Sequence, residues 1–454
     1  MRSLWLEEAL AGEEDSPRLE GEERADVCVI GGGYTGLWTA LRLKEHDPSL
    51  DVVLVEADVC GGGPSGRNGG FVLSLWAKFG TLQKLYGADE ALRLGRASAE
   101  AVGGIGAFCS EHAVDADFRD DGWLWTATSP AQTGAWDEVV ADLGRHDERP
   151  FEPLSAEEVA RRAGSDRHLA GVFEATAATV QPALLARGLR RIALERGVRI
   201  FERSPVGRLE RDRWLRVRSG RGSVVAERVV VATGPWLVQA RGLRRALVAV
   251  SSDIVATAPT DLDLGGVGIS DSRLRVHYYR LTRDGRLAFG KGGGTIALGG
   301  RIGRSFHGAS PRAAEVEAAL RATYPRLASV PVTASWTGPI DRSLYGLPFF
   351  WRMREDVVVG AGYSGNGVGP SYLGGRILSS LVLGLDDEWA RAGLVGAPPG
   401  SFPPEPLRFF GGVLVRRAIT AKERAEDAGR SPSRVALRIA QLAPAGLVPL
   451  KSRT

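Results

Sequence analysis

Asp26-Val-Cys-Val-Ile30, then Gly31-Gly-Gly33-Tyr-Thr-Gly36, a periodic run to His46, and Asp51-Val-Val-Leu-Val-Glu56 decide how this 454-residue chain is read. Val27, Val29 and Ile30 make a short β-branched strand of the kind buried in a parallel sheet. Gly31 allows a tight turn, Gly33 lets backbone approach a pyrophosphate, and Gly36 lets a helix pack closely on the strand. Tyr34 and Thr35 open that helix, whose free N–H groups and partial positive charge suit phosphate. Glu56 stands twenty residues past Gly36, where a carboxylate accepts hydrogen bonds from ribose hydroxyls. Strand, glycine turn, helix and acid agree on a dinucleotide site. The motif alone does not separate FAD from NAD.

The length implies two or three domains. Hydrophobic residues at 44% and charged residues at 25% fit a globular chain, and no apolar run reaches the ~18–20 residues of a membrane span. Met1 to Leu10 carries acids where a secretory signal needs an apolar core, so a cytoplasmic location is expected. Cys28, Cys60 and Cys109 lack metal-site spacing and read as reduced thiols; no metal is expected. The net charge of +4 comes without a basic stripe in the body of the chain, which argues against nucleic acid. Residues 401–454 hold ten Lys/Arg against four Asp/Glu. That tail reads as a solvated helix face or a patch on the protein's own acidic surface, with an anionic membrane as the alternative partner.

Further along come Ser65-Gly-Arg-Asn-Gly-Gly70, an apolar run Phe71–Trp76 in which Trp76 is a candidate cavity wall, and helical periodicity over 81–112. Gly122–Thr128 reads as a strand, Ser155-Ala-Glu-Glu158 as a capping box, and Gln181-Pro182 as a helix start. A β cluster from Val198 closes with Val229-Val-Val-Ala-Thr-Gly234. Strands are expected at Val248–Ala258, Arg275–Leu281, Arg286–Gly290 and Pro331–Trp336. Val357-Val-Val-Gly-Ala-Gly-Tyr-Ser-Gly-Asn-Gly367 is a second glycine-rich strand-turn, entering an apolar helix to Leu385. Tail helices are expected at Val413–Ala428 and Ser433–Leu442. The best parallel partners for the first strand, Val229–Thr233 and Val357–Ala361, lie far away in sequence. The chain is therefore α/β: a Rossmann-like nucleotide domain (25–80, 151–247, 337–397) interrupted by an antiparallel-sheet substrate domain (81–150, 248–336). An N-terminal arm (1–24) and the basic helical tail (398–454) flank them.

These motifs resemble the FAD-dependent oxidoreductases of the D-amino-acid oxidase and glycine oxidase superfamily. The Ser-Gly-Arg-Asn-Gly-Gly box is most similar to the branch with γ-glutamylputrescine oxidase and aminophosphonate oxidoreductases. The resemblance covers residues 25–385 and implies non-covalent FAD, held by Gly31, Gly33, Tyr34, Thr35, Gly36 and Glu56. It extends the cofactor site to Ser65, Gly66, Arg67, Asn68, Gly69 and Gly70, to Val206, Thr233, Gly234 and Trp236, and to Gly362, Gly365, Asn366, Gly367 and Val368. Three departures matter. Pro64 replaces a small residue, Asn366 stands where several relatives have histidine, and Ile340 stands near the carboxylate-binding arginine of α-amino-acid oxidases, with Arg342 two residues on.

The reaction this implies is oxidation of a C–N bond in an amine, with oxygen or another acceptor downstream. The cofactor carries the difficult step, so the protein needs to orient, desolvate and tune. Expected catalytic or substrate-contacting residues are Trp76, His277, Tyr279, Arg280 and Asn366. His277 and Tyr279 share one strand face, Tyr278 and Arg280 the other, so only one pair faces a cavity. Arg280 or Arg342 is the expected partner of any substrate oxyanion. Lys291 reads as a loop residue. The alternatives are an α-amino-acid oxidase or dehydrogenase, an NAD-dependent dehydrogenase, a non-catalytic flavin-binding protein and a peripheral membrane protein.

Overall fold

The structure is a computed structural model that describes residues 2–13, 16–211 and 213–444. Strand Gly21–Ile30 lies inside the first sheet, parallel to Val52–Val55 on one side and to Gly222–Val231 on the other. Arg199–Phe201 continues the parallel order beyond Val52–Val55, and Val357–Ala361 continues it beyond Gly222–Val231. Antiparallel Phe349–Arg354 closes that edge. These strands are apolar runs rather than alternating ones because both faces are covered. Val27, Val29, Leu54, Val230 and Val358 pack under helices Tyr34–His46 and Val368–Leu383. Cys28, Ile30, Val53 and Val229 pack with Leu215 and Val217 of a meander. Helix Tyr34–His46 carries Lys44 and His46 in its last turn, where positive charge suits the dipole.

The second sheet has eight strands, in the order Val332–Arg342, Val248–Pro259, Arg286–Lys291, His277–Leu281, Gly268–Asp271, Trp123–Ala127, Ala170–Glu174 and Phe151–Leu154. Its backbone is the long pair Val248–Pro259 with Val332–Arg342, from Val248 opposite Arg342 to Thr257 opposite Val332. Phe151–Leu154 and Ala170–Glu174 belong here, not in the nucleotide half where sequence order puts them. Trp123–Ala127 is buried throughout and so needs a partner on each edge, and Ala170–Glu174 fills the second. Conversely, helix Ala88–Glu111, expected with the substrate domain, lies on the nucleotide half. Phe108 meets Trp38 edge-on at 4.9 Å, and Gly104 lies against the Tyr372 ring.

The ends of the chain also differ from expectation. The arm is not an extended lead-in: Ser3 caps a helix Leu4–Ala9 whose Trp5 and Leu6 are buried, and the first strand starts at Gly21. The tail helix begins at Leu407, ahead of Val413, and the second covers Arg434–Ala440. The longer one packs on the second sheet through Arg273 Nη1 to Asp427 (2.6 Å), Arg275 N–H to Glu423 (3.0 Å) and Arg416 to the Gly294 carbonyl (3.0 Å). No helix among the described residues is long and apolar enough to cross a membrane.

The close approach of the first helix to its sheet depends on Gly36, where a Cβ would collide with the Gly31 carbonyl oxygen. Gly36→Ala should therefore destabilise by about 1–3 kcal/mol, the usual range for overpacking, although alanine is the better helix former. The urea midpoint measures this; an unchanged or raised midpoint would show that helix and strand can separate without cost.

Candidate active site

The first glycine loop is built around Glu56. Its Oε2 accepts the Gly32 N–H at 2.7 Å and its Oε1 the Asp58 N–H at 2.9 Å. Burial raises the pKa of this carboxyl, and the two N–H donors pull it back. Tyr34 N–H donates to Ser65 Oγ (3.0 Å), Tyr34 OH to the Pro182 carbonyl (2.6 Å), and Thr35 Oγ1 to Tyr363 OH (2.8 Å). Both motifs at the start of the chain and the late glycine loop thus meet. A Cβ on Gly33 would find only Ser65 within 4 Å, so space is open above the loop. Val206 is brought near by Ser204, whose N–H donates to the Glu56 carbonyl at 2.8 Å. Thr233 and Gly234 follow Ala232, whose N–H donates to Ile30 (2.8 Å), and the Trp236 ring lies against Gly63.

The Ser65–Gly70 box folds on itself and is then pinned from two directions. Pro64 opens a single helical turn, Pro64–Gly66. Asn68 Nδ2 donates to Ser65 O at 2.9 Å, and its Oδ1 accepts Gly70 N–H at 2.7 Å. Arg67 Nε donates to Gly62 O at 3.0 Å. From the arm, Ser3 Oγ donates to Gly66 O (2.5 Å) and Trp5 Nε1 to Asn68 O (3.0 Å). From the second sheet, Trp336 Nε1 donates to Arg67 O (2.9 Å) and Arg280 Nε to Gly69 O (3.2 Å). The Tyr278 ring covers Gly69, its hydroxyl 2.7 Å from Ser252 Oγ. Gly70, at φ 78°, lies so close to the Val180 carbonyl that no side chain fits.

Strand His277–Leu281 therefore turns Tyr278 and Arg280 toward this loop, and His277 and Tyr279 away from it. On the far face His277 Nδ1 lies 3.1 Å from Asp271, and its Nε2 takes a Lys291 proton at 2.6 Å. Lys291 is the buried end of a strand, not a loop residue. Tyr279 stacks on Phe289 at 4.9 Å and reaches His168. Arg280 faces the loop but is saturated: besides Gly69 it donates to Val180 O (2.5 Å) and Leu281 O (3.3 Å), with the Trp5 ring at 5.3 Å. Its role is to hold backbone. The Trp76 ring packs on Gly95 and Phe79. Asn366 lies beside the glycine loops, as Arg280 does, its Nδ2 donating to Ser74 O at 2.9 Å and its Oδ1 without a hydrogen-bond partner among the described residues.

Other groups are drawn together there instead. Ser74 Oγ donates to Glu174 at 2.5 Å, and Thr176 to the same oxygen at 3.2 Å. Burial pushes the Glu174 carboxyl up to about 7. Asp341 accepts the Gly362 N–H at 2.6 Å and is pushed by burial to about 6. Lys78 is 3% exposed, its Nζ has no hydrogen-bond partner among the described residues, and burial, then the Arg342 charge, lowers it to about 7. Lys78 ends an apolar run in the sequence, the one signal that it is not a surface lysine. Glu174 has no such signal.

A family model described as FAD dependent oxidoreductase (DAO) matches residues 26–381. The chain is similar to gamma-glutamylputrescine oxidoreductase of Escherichia coli, 31% identical over 371 residues, covering 79% of this chain and 84% of that protein. Among solved structures it resembles glycine oxidase from Geobacillus kaustophilus, with TM-score 0.69 and 19% identity over 83% of this chain and 99% of that one. Iminodiacetate oxidase from Chelativorans sp. BNC1 is similar in fold, with TM-score 0.66 and 20% identity over 82% and 99%.

The residues present fit FAD. Gly33 leaves open space that would take a pyrophosphate, and Glu56, at the end of the second parallel strand, would accept from ribose hydroxyls. Arg67 Nη1 and Asn366 Oδ1, a donor and an acceptor, are buried without hydrogen-bond partners among the described residues, as groups awaiting a flavin's polar edge would be. Gly362 and Gly365 hold positive φ, 86° and 100°, in the turn that leads to helix Val368–Leu383 through Gly367.

Two outcomes follow. Arg280→Ala leaves the Gly69 and Val180 carbonyls without donors. It should lower stability by about 2–4 kcal/mol and weaken FAD retention; a KM effect alone, with unchanged urea midpoint, would return Arg280 to the substrate. Glu174 has a folded pKa above its unfolded one, so its ionisation disfavours the fold, and the loss develops as pH rises from about 4.5 to about 7. Glu174→Gln should remove that slope and gain a few kcal/mol at pH 8, read by thermal melts across pH.

Proposed function

The chain belongs to the DAO family of FAD-dependent oxidoreductases, and we propose that it oxidises the C–N single bond of an amine, water then hydrolysing the imine. The observation that carries this reading is the sealing of the Ser65–Gly70 loop beneath the second sheet by Tyr278, Arg280 and Trp336. Bound FAD supplies a two-electron acceptor for the hydride leaving the carbon next to nitrogen. The chain's own residues make the setting. Tyr278 and Trp336 exclude water over the loop, which strengthens every electrostatic interaction there. The Arg342 charge, together with burial, disfavours an ammonium and hence selects the neutral amine with its lone pair, against an ordinary alkylamine pKa near ~10. Asn366 Oδ1 offers a free acceptor, and the amino end of helix Val368–Leu383 favours negative charge nearby.

An amine is favoured over an α-amino acid by Ile340 at the arginine position of α-amino-acid oxidases, and by the name of the Escherichia coli relative. Oxygen or another acceptor removes the electrons. Three buried thiols, none in a disulfide, suit a cytoplasmic setting.

The test is anaerobic mixing of the yellow holoprotein with a panel of primary and secondary amines, glycine and D-alanine, following loss of flavin absorbance. Bleaching by one class of amine, faster than by either amino acid, is expected. Bleaching by dithionite but by no amine would end this reading, and faster reduction by glycine or D-alanine would replace it with α-amino-acid oxidation.

A further inference from the structure

Three segments distant in sequence, 234–247, 296–309 and 402–417, meet at one surface. Leu237, Leu243 and Leu247 of the first pack with Ala297 and Phe306 of the second in one buried cluster. Hydrogen bonds tie the segments together. Gln239 Nε2 donates to Gly300 O at 2.8 Å, Gly299 N–H to Glu405 Oε1 at 3.2 Å, and Arg408 Nη1 to Leu247 O at 3.2 Å. Leu298, Leu407, Phe410 and Leu414 stay outside the cluster, each more than half exposed.

The exposure follows from how helix Leu407–Asp427 is seated. Arg408, Gly412 and Arg416, spaced by four, face inward: onto Leu247 O, the Ile296 side chain and Gly294 O. Leu407, Phe410 and Leu414 recur at three and four residues and so form one stripe on the opposite face. Glu423 and Asp427 fix the far end of the helix to the second sheet, which holds the stripe outward. Charge on this surface is one-sided. The three segments hold eight arginines against one acid, in a chain of 58 Lys/Arg and 54 Asp/Glu. That acid, Glu405, pairs with Arg408 at 2.8 Å. Arg241, Arg301 and Arg304 are exposed, and their side chains have no hydrogen bond or ion pair among the described residues.

A grouped set of exposed apolar side chains rimmed by charge marks an interaction surface. We propose that this surface docks the protein on an anionic lipid bilayer. Leu407, Phe410 and Leu414 enter the boundary between headgroups and acyl chains, and the arginines meet lipid phosphates. An apolar stripe beside basic residues is what a helix lying in that boundary needs. Nucleic acid would engage the arginines and leave the stripe in water. A second copy of the chain on the same face would set arginine against arginine. The inference is independent of the reaction proposed above.

The experiment floats full-length holoprotein with vesicles of phosphatidylcholine and phosphatidylglycerol, with phosphatidylcholine alone as control. Flotation with the anionic vesicles, weakened by added salt and largely absent from the control, is expected. Phe410→Gln with Leu414→Gln should lower vesicle affinity about 10–100-fold. Arg301→Gln with Arg304→Gln should lower it about 5–30-fold and flatten the salt dependence. All four residues are exposed or face solvent, so both double variants should keep wild-type flavin content and urea midpoint. Absence of flotation in the wild type, or equal flotation of both variants, would overturn the proposal. So would duplex DNA binding lost only in the arginine variant, or a dimer in sedimentation dissolved by Phe410→Gln, if either occurs in place of flotation.

Discussion

Everything near the cofactor depends on holding one loop, Ser65–Gly70, in place with hydrogen bonds to its backbone carbonyls. Ser3, Trp5, Trp336 and Arg280 supply the donors, one to each of Gly66, Asn68, Arg67 and Gly69. A glycine-rich loop has little side-chain surface to bury, so packing alone cannot fix it, and its backbone entropy is the largest of any segment type. Fixing it by external donors couples three distant segments: the arm, the flavin box and the second sheet. Trp5 and Trp336 meet edge-on at 5.6 Å and Arg280 lies over Trp5, so the donors also brace one another.

How much of this was legible divides along sequence distance. The three glycine motifs and Glu56 carry their chemistry in adjacent residues, and the parallel strands read as apolar runs because both faces are buried. What alternation cannot show is which side of a strand meets the site. Residues 277–280 separate into two faces from the residues alone, yet the choice between them rests on contacts to Gly69 and Asp271, over two hundred residues away in one case and six in the other. The arm escaped because a six-residue helix is too short to display a period. The tail helix runs from Leu407 through Gly411-Gly412, a pair that weakens a helix in isolation. In the fold, Gly412 lies against Ile296, where a Cβ would approach to 2.9 Å, so glycine there serves packing.

The two faces of the second sheet follow opposite electrostatic rules. On the face away from the cofactor, charges are compensated: Asp271 sits among His277 and Arg273, and Lys291 donates to His277, with Glu423 from the tail covering them. The tail's basic composition reflects this role in part. Its Arg416 and its acids Glu423 and Asp427 bind backbone and side chains of residues 273–294, which accounts for a tail that is basic overall yet contributes acids at the contact.

On the cofactor face the same residue type has two fates, and satisfaction of donors separates them. Arg280 is the more deeply buried of the two arginines, 1% exposed against a half-buried Arg342, and burial alone would mark it as the functional one. Yet its Nε and both Nη atoms end on backbone carbonyls, leaving no fork for a ligand's oxygens. The Arg342 guanidinium has no hydrogen bond or ion pair among the described residues. A buried guanidinium whose three nitrogens all have partners stabilises structure, whereas a half-buried one without them contributes little to the fold. That distinction depends on partners rather than on burial or residue type, and it is why Arg280 and Arg342 could be named from the sequence but their contacts could not.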